Sequence, residues 1–315
     1  MRARRLLTLS AVAAIVWAVS TTETAHSFAQ PLADSGPIVT VLPQPARFRL
    51  EKDTGLLIRV WLDGKGPYIF AIDTGAGLNV ITERAASTAG LQVRRVTPTI
   101  VGGLSAARVT SNREAVIGLM ALGDQANNLP SQKSALIVSA LAPGIDGILD
   151  PTDTYSPFGY SIDISNELIE AMNPATDRST RQSTDEGAVV PWLRVAGSSR
   201  PFVRLGDGRL ALLDTGSGFG LAVSERNAVI IGRPNGPNGR VNRESVRDIG
   251  GGTIFSRRVS PTTISIGELV LRGIPTDVLS QVDTDAPVIL GRDALYPFKI
   301  TFDPRRRLIE FVTSK

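Results

Sequence analysis

Short apolar runs closed by Gly, Pro, Asp or Asn recur along the chain from residue 48 onward. Runs of that length, bounded by turn-forming residues, predict strands rather than helices. Residues 56–62, a turn at 63–66 and residues 68–72 read as a hairpin. Further strands are predicted at 78–81, 115–122, 134–141 and 160–169. One short helix is expected at 83–90, an Ala-rich stretch that a glycine stops.

The pattern then repeats. The hairpin over 203–213 matches the first one, shortened by two residues. Each hairpin runs into an acid, a hydroxyl and a glycine: Asp73-Thr74-Gly75-Ala76 and Asp214-Thr215-Gly216-Ser217. The acids lie 141 residues apart, as do Ile148-Leu149-Asp150 and Ile289-Leu290-Gly291. Residues 157–170, PFGYSIDISNELIE, align without a gap on 297–310, PFKITFDPRRRLIE. Gly102-Gly103 is answered by Gly250, Gly251 and Gly252. A period this long is not that of a solenoid, so two copies mean two lobes. The polar stretch 173–187 serves as linker between lobes at 47–172 and 188–315, and the second copy carries an extra loop at 231–241. A third Asp-Thr-Gly, at Asp53, follows Glu51-Lys52 with no apolar lead-in and reads as a surface turn.

Composition narrows the chemistry. Arg2, Arg4 and Arg5 precede an apolar run over 6–20, and Ser27-Phe28-Ala29 fits a cleavage site, so residues 1–29 read as an export signal. The apolar run is shorter than the roughly 20 residues of a membrane span, so no stable membrane insertion is expected after cleavage. The mature chain is then periplasmic or secreted, beginning with a Pro-rich flexible arm at 30–46. The signal carries three Arg and one Glu, so its removal takes the net charge from +4 to +2. No basic stripe with interleaved aromatics is present, and nucleic acid is not an expected partner.

The chain has no Cys, and its only His, His26, lies inside the signal. Ser-His-Asp and Cys-His catalysis and the usual zinc sites are thereby excluded. Carboxylates remain, with Ser-Lys pairs and oxygen-ligated metals. No Ser-x-x-Lys occurs, and Asp146, Asp150 and Asp153 match only part of a calcium loop. An acid at the end of a buried strand is costly unless it is hydrogen-bonded, paired or functional. Two of them in duplicated settings are expected to meet. Adjacent carboxyls cannot both ionise easily, and a pair sharing one proton supplies the base and the acid that peptide hydrolysis needs.

Asp73-Thr74-Gly75-Ala76 and Asp214-Thr215-Gly216-Ser217 resemble the active-site loops of aspartic peptidases, nearer to retropepsin-like bacterial proteins than to pepsins, and Ile289-Leu290-Gly291-Arg292-Asp293 resembles the hydrophobic-hydrophobic-Gly element that packs beneath such a loop. The resemblance spans residues 48–311. It implies a mostly β chain with two similar lobes related by a pseudo-two-fold axis and a cleft between them. It implies an aspartic endopeptidase with Asp73 and Asp214 as catalytic dyad, acting on a peptide or protein substrate without cofactor or metal, as a monomer. Thr74 and Thr215 would tie the two loops together, and Gly75 and Gly216 would let the backbone turn beside the carboxyls. Gly102, Gly103, Gly250, Gly251 and Gly252 resemble flap tips that close on an extended peptide. No Tyr lies between residues 81 and 149, so the pepsin-type flap tyrosine is missing. The alternative is a non-catalytic peptide-binding module of the same fold.

Two asymmetries stand out. Ser217 offers a hydroxyl beside Asp214 where Ala76 offers none beside Asp73, so Asp214 is expected to be the ionised member and Asp73 the protonated one. Asp150 stands where the second copy has Gly291. It is expected either to face solvent in a widened turn or, facing the dyad, to raise the dyad's pKa values.

Overall fold

The computed structural model describes residues 41–174, 187–195, 198–228, 243–248, 252–283 and 286–314, with the backbone of residues 12–13. The rest of the expected signal and most of the arm, the linker residues 175–186 and the loop 231–241 lie outside the described residues.

The chain is mostly β, and the duplication reappears as topology. One sheet runs, in spatial order, Arg49–Glu51, Gly55–Leu62, Lys65–Ile72, Gly147–Leu149, Val80–Thr82, Lys133–Val138, Arg108–Ile117 and Gln92–Gly102. A second sheet repeats that order from its own hairpin: Phe202–Arg204, Leu210–Asp214, Val288–Gly291, Leu221–Ser224, Leu269–Ser280, Thr253–Ile266 and Arg243–Asp248. Period-2 patterning explains the faces. In Gly55–Leu62, the side chains of Leu56, Ile58, Val60 and Leu62 are buried while Arg59 between them is exposed.

A third sheet joins the halves, in the order Gly187–Pro191, Leu308–Thr313, Phe298–Asp303, Gly159–Asp163, Leu168–Met172 and Ala46–Arg47. Ala46, the last residue of the expected arm, is already strand here and 3% exposed. At the centre of this sheet Ser161 pairs with Thr301, Tyr160 with Phe302 and Ile162 with Ile300. Ser161 and Thr301 are equivalent in the sequence repeat, so the pairing is that of a local two-fold axis. Tyr160 stacks on Phe302 at 4.8 Å, and Trp192 meets Phe302 edge-on at 6.0 Å, which ties both halves into one apolar core.

Local chemistry sets the element ends. The helix Glu83–Ala89 starts where Thr82 Oγ1 accepts the Ala85 N–H at 3.2 Å and stops at Gly90, φ +67°. The single strand expected at 115–122 divides into Arg108–Ile117 and Met120–Leu122. Asp63 divides it: its carboxylate accepts the Leu119 N–H at 2.7 Å, and its own N–H donates to Leu119 O at 2.8 Å. Met120–Leu122 then pairs with Gly55–Leu62 instead. The strand expected at 160–169 likewise turns back, at Glu167, φ +54°, giving Gly159–Asp163 and Leu168–Met172. Arg307, its equivalent, turns the second copy at φ +58°.

Candidate active site

The strands Lys65–Ile72 and Leu210–Asp214 deliver Asp73 and Asp214 to the same place, both with no solvent exposure. The two glycines make the approach possible, and they do so crosswise. A Cβ at Gly216 would lie 2.5 Å from Asp73 Cγ, and one at Gly75 would lie 2.8 Å from Asp214 Cγ. The threonines tie the loops reciprocally. Thr74 N–H donates to Thr215 Oγ1 at 3.0 Å, and Thr215 N–H to Thr74 Oγ1 at 3.1 Å. Each hydroxyl then donates across to the other half, Thr74 to Leu213 O at 2.7 Å and Thr215 to Ile72 O at 3.2 Å. Every polar atom of these buried threonine side chains is thereby used.

Asp73 Oδ1 accepts the Gly75 N–H at 2.7 Å, and Asp214 Oδ1 accepts the Ser217 N–H at 3.1 Å. The Oδ2 atom of each is buried and takes no donor from the rest of the protein. A proton between the carboxyls gives both a partner. Burial, then the charge of Asp214 and the hydrogen bond to it, raises Asp73 well above the usual carboxylate range; the Gly75 N–H opposes this. Asp214 is raised less. Burial lifts it, while the hydrogen bond from Asp73, the Ser217 and Gly216 amides and the Arg292 charge hold it down. Of the two, Asp73 is the more strongly raised, so its surroundings favour a proton on its side, and carboxyls coupled this closely titrate as a pair.

The expected reason for this asymmetry was wrong in one respect. The Ser217 hydroxyl does not bond Asp214; it accepts the Phe219 N–H at 3.4 Å, and the Ser217 backbone N–H serves the carboxylate. The larger difference between the halves is Arg292, which the sequence reading missed. It is 3% exposed and its Nη1 donates to Thr215 O and Gly216 O, both at 2.9 Å. Its equivalent in the first copy is Pro151, so no cation supports Asp73 in the same way. Arg200, 6% exposed, was also missed. Its stem lies beside Gly77, where a Cβ would be 3.3 Å from Arg200 Cγ, and its charge acts on Asp214, Asp73 and Asp150. The signal available for Arg292 was its place directly after Ile289-Leu290-Gly291; nothing in the repeat pointed to Arg200.

Asp150 does not face solvent, being 1% exposed. Gly291 cannot be replaced in the second copy, since a Cβ there would lie 2.4 Å from Phe219 O. The first copy makes room through Asn79. Its side-chain oxygen accepts the Asp150 N–H at 2.9 Å, where Gly220 O accepts the Gly291 N–H at 2.9 Å. The other expected oxygen ligands are spent elsewhere: Asp146 accepts from Arg84 and from Ile69 N–H, and Asp153 from Asn79 at 2.6 Å. Among the described residues no group of three or more potential metal ligands converges.

The hairpin between Gln92–Gly102 and Arg108–Ile117 crosses from the first half to the second. Leu104 at its tip is wholly buried among Phe219, Val246, Ile254, Leu279 and Ile289. Ser105 bridges Val282, Leu104 O accepts the Asp283 N–H at 2.8 Å, and Arg108 pairs with Asp283. Gly102 lies under the Arg108 side chain, and Gly252 abuts Ser105 and Ala107. Gly103 sits buried between Gly102 and Leu104; Gly250 and Gly251 lie outside the described residues. A cavity of about 530 Å³ runs beside the first loop, lined by Gly77, Leu78, Val96, Thr97, Thr99 and Ser134 among others.

Comparison with known proteins bears on the fold and on residues 58–149. Residues 58–149 match the aspartyl protease family. No curated protein matches the chain. The chain is similar to the crystal structure of aspartic proteinase from Irpex lacteus, with a TM-score of 0.57 and 12% identity over 86% of this chain and 97% of that one. At that identity the likeness speaks for the fold. Residues 58–149 thus carry the aspartyl protease pattern, and the chain as a whole has the fold of a pepsin- and retropepsin-like aspartic peptidase.

Proposed function

We propose that the protein is an aspartic endopeptidase, exported and acting as a monomer, with Asp73 and Asp214 as its catalytic pair. One observation carries the reading. Two wholly buried carboxyls from duplicated loops lie against each other, each with an oxygen that takes no donor from the described residues. Outside an enzyme such a site is a net cost to stability.

The ionised Asp214 takes a proton from water as its oxygen attacks the scissile carbonyl carbon. Asp73 gives its proton to the carbonyl oxygen, forming a neutral tetrahedral diol. In breakdown Asp214 gives its proton to the leaving amine nitrogen, a diol hydroxyl gives its proton to Asp73 and the C–N bond breaks, leaving a carboxyl, an amine and the pair as it began. Arg292 keeps Asp214 the more acidic partner throughout. The substrate lies extended under the hairpin tip, which must lift from Val282 and Asp283 to admit it, and the cavity beside Gly77 and Leu78 takes a substrate side chain.

The test is cleavage of an unstructured polypeptide from acid to neutral pH by the wild type, Asp73→Asn and Asp214→Asn. The reading expects cleavage by the wild type alone. Equal cleavage by all three would remove the pair from the chemistry, and binding without cleavage by the wild type would make the cleft a peptide-binding module.

A further inference from the structure

The repeats also differ in charge at the position before Arg292: the second has Gly291 and the first Asp150. Asp214 and Gly291 are register partners on neighbouring parallel strands. In the first half Leu149 pairs with Ile72, and Leu149 O accepts the Asp73 N–H at 2.9 Å. Asp150 therefore follows level with Asp73, one strand away, and neighbouring strands are about 5 Å apart.

The side chain is enclosed. Its Oδ1 accepts the Thr152 N–H at 3.0 Å, capping the short helix Pro151–Thr154, and its Oδ2 is buried without a partner. The charged or titratable groups around it are Asp73 at the end of Lys65–Ile72, Asp153 in its own helix, Tyr160 on Gly159–Asp163, and Arg200 ahead of Phe202–Arg204. Burial raises Asp150 to about 7, against the opposing Thr152 bonds, and the Asp153 charge adds to the rise. A helix cap alone does not need a carboxyl with one orphaned oxygen; Ser or Asn caps as well.

We propose that Asp150 is a positioning residue for the proton of the pair, its carboxylate repelling the second negative charge that would form on Asp73 and so holding the shared proton there to higher pH. This rests on the reading of Asp73 and Asp214 as a working pair. The effect is one-sided. In acid Asp150 is itself protonated and neutral, so the acid limb of activity, where the pair gains a second proton, does not sense it. Toward neutral pH Asp150 ionises and its charge opposes loss of the pair's remaining proton, so the alkaline limb does.

The experiment compares wild type, Asp150→Asn and Asp150→Gly, the last being the residue of the second repeat. Two readouts are taken: the pH–rate profile on one peptide, and the titration of aspartate carboxyl carbons by NMR in the resting protein. Both variants are expected to move the alkaline limb, and the matching titration of the pair, down by about one pH unit while the acid limb stays. A merely structural role would move both limbs, or move them differently in Asn and Gly, and would overturn the proposal. If the wild type cleaves nothing, the titration alone decides. A lowered midpoint in both variants supports the proposal while the peptidase reading falls; an unchanged midpoint overturns it.

Discussion

Thr74 and Thr215 each accept the other's backbone N–H on their hydroxyl, at 3.1 and 3.0 Å, across a sequence separation of 141 residues. This reciprocal pair lies on the local two-fold axis and fixes the distance between the loops. Thr74→Ala strands the buried Thr215 N–H and the Leu213 carbonyl at once. Each buried unsatisfied group costs about 1–3 kcal/mol, so urea unfolding should show a loss in that range or above it. Thr74→Ser keeps both bonds and should restore most of the stability.

Gly216→Ala places a methyl 2.5 Å from Asp73 Cγ, so the Asp73 carboxyl must shift. The expected result is a folded protein, destabilised by about 1–3 kcal/mol, in which the carboxyls no longer meet. Peptide cleavage should fall by about 100-fold or more, the scale of lost acid–base catalysis. Ser217→Ala is the contrast. Its hydroxyl bonds the Phe219 N–H rather than Asp214, so the pH–rate profile should keep its acid limb.

The hairpin tip is held by an apolar anchor, Leu104, and by an ion pair, Arg108 with Asp283, whose side chains are 25% and 31% exposed. A pair so exposed contributes up to about 1 kcal/mol and is screened by salt. Hydrogen exchange at Leu104 and Ser105 should therefore quicken by roughly thirtyfold or more in Leu104→Ala. In Arg108→Ala it should quicken about threefold at low salt, with the difference gone at high salt.

What was legible in the sequence was whatever the duplication wrote twice. Asp73 and Asp214, their apolar lead-ins, and the aligned segments 157–170 and 297–310 were readable because each copy vouched for the other. The features that lie in one copy only were not. Arg292 stands opposite Pro151, Arg200 precedes the repeat's shared hairpin, and Leu104 finds its pocket in the other half. Their roles depend on contacts between residues far apart in the chain, Arg292 with Thr215 and Gly216, Arg200 with Gly77 and Leu104 with Phe219, which spacing along the chain does not encode. The break at Asp63 and Leu119 was hidden because the interrupting bonds join residues 56 positions apart within the first half.

Asp150 also shapes stability. Its ordinary value of 3.8 is raised to about 7 on folding, so between those values the native chain holds a proton that the unfolded chain has lost. Stability from this group is thus full below its unfolded value and declines as pH rises through about 7. Asp73, raised by burial and by Asp214, acts in the same direction. Urea midpoints across that window should fall with rising pH in the wild type, and Asp150→Asn should flatten the fall.

The central claim is that Asp73 and Asp214 act as one proton-sharing unit, and the kinetics of Asp73→Asn, Asp214→Asn and the double variant on a single peptide test it most directly. Groups that work as a unit are non-additive, so each single variant should lose nearly as much kcat as the double. A double variant whose loss is the product of the two single losses, or a single variant that cleaves at the wild-type rate, would contradict the account.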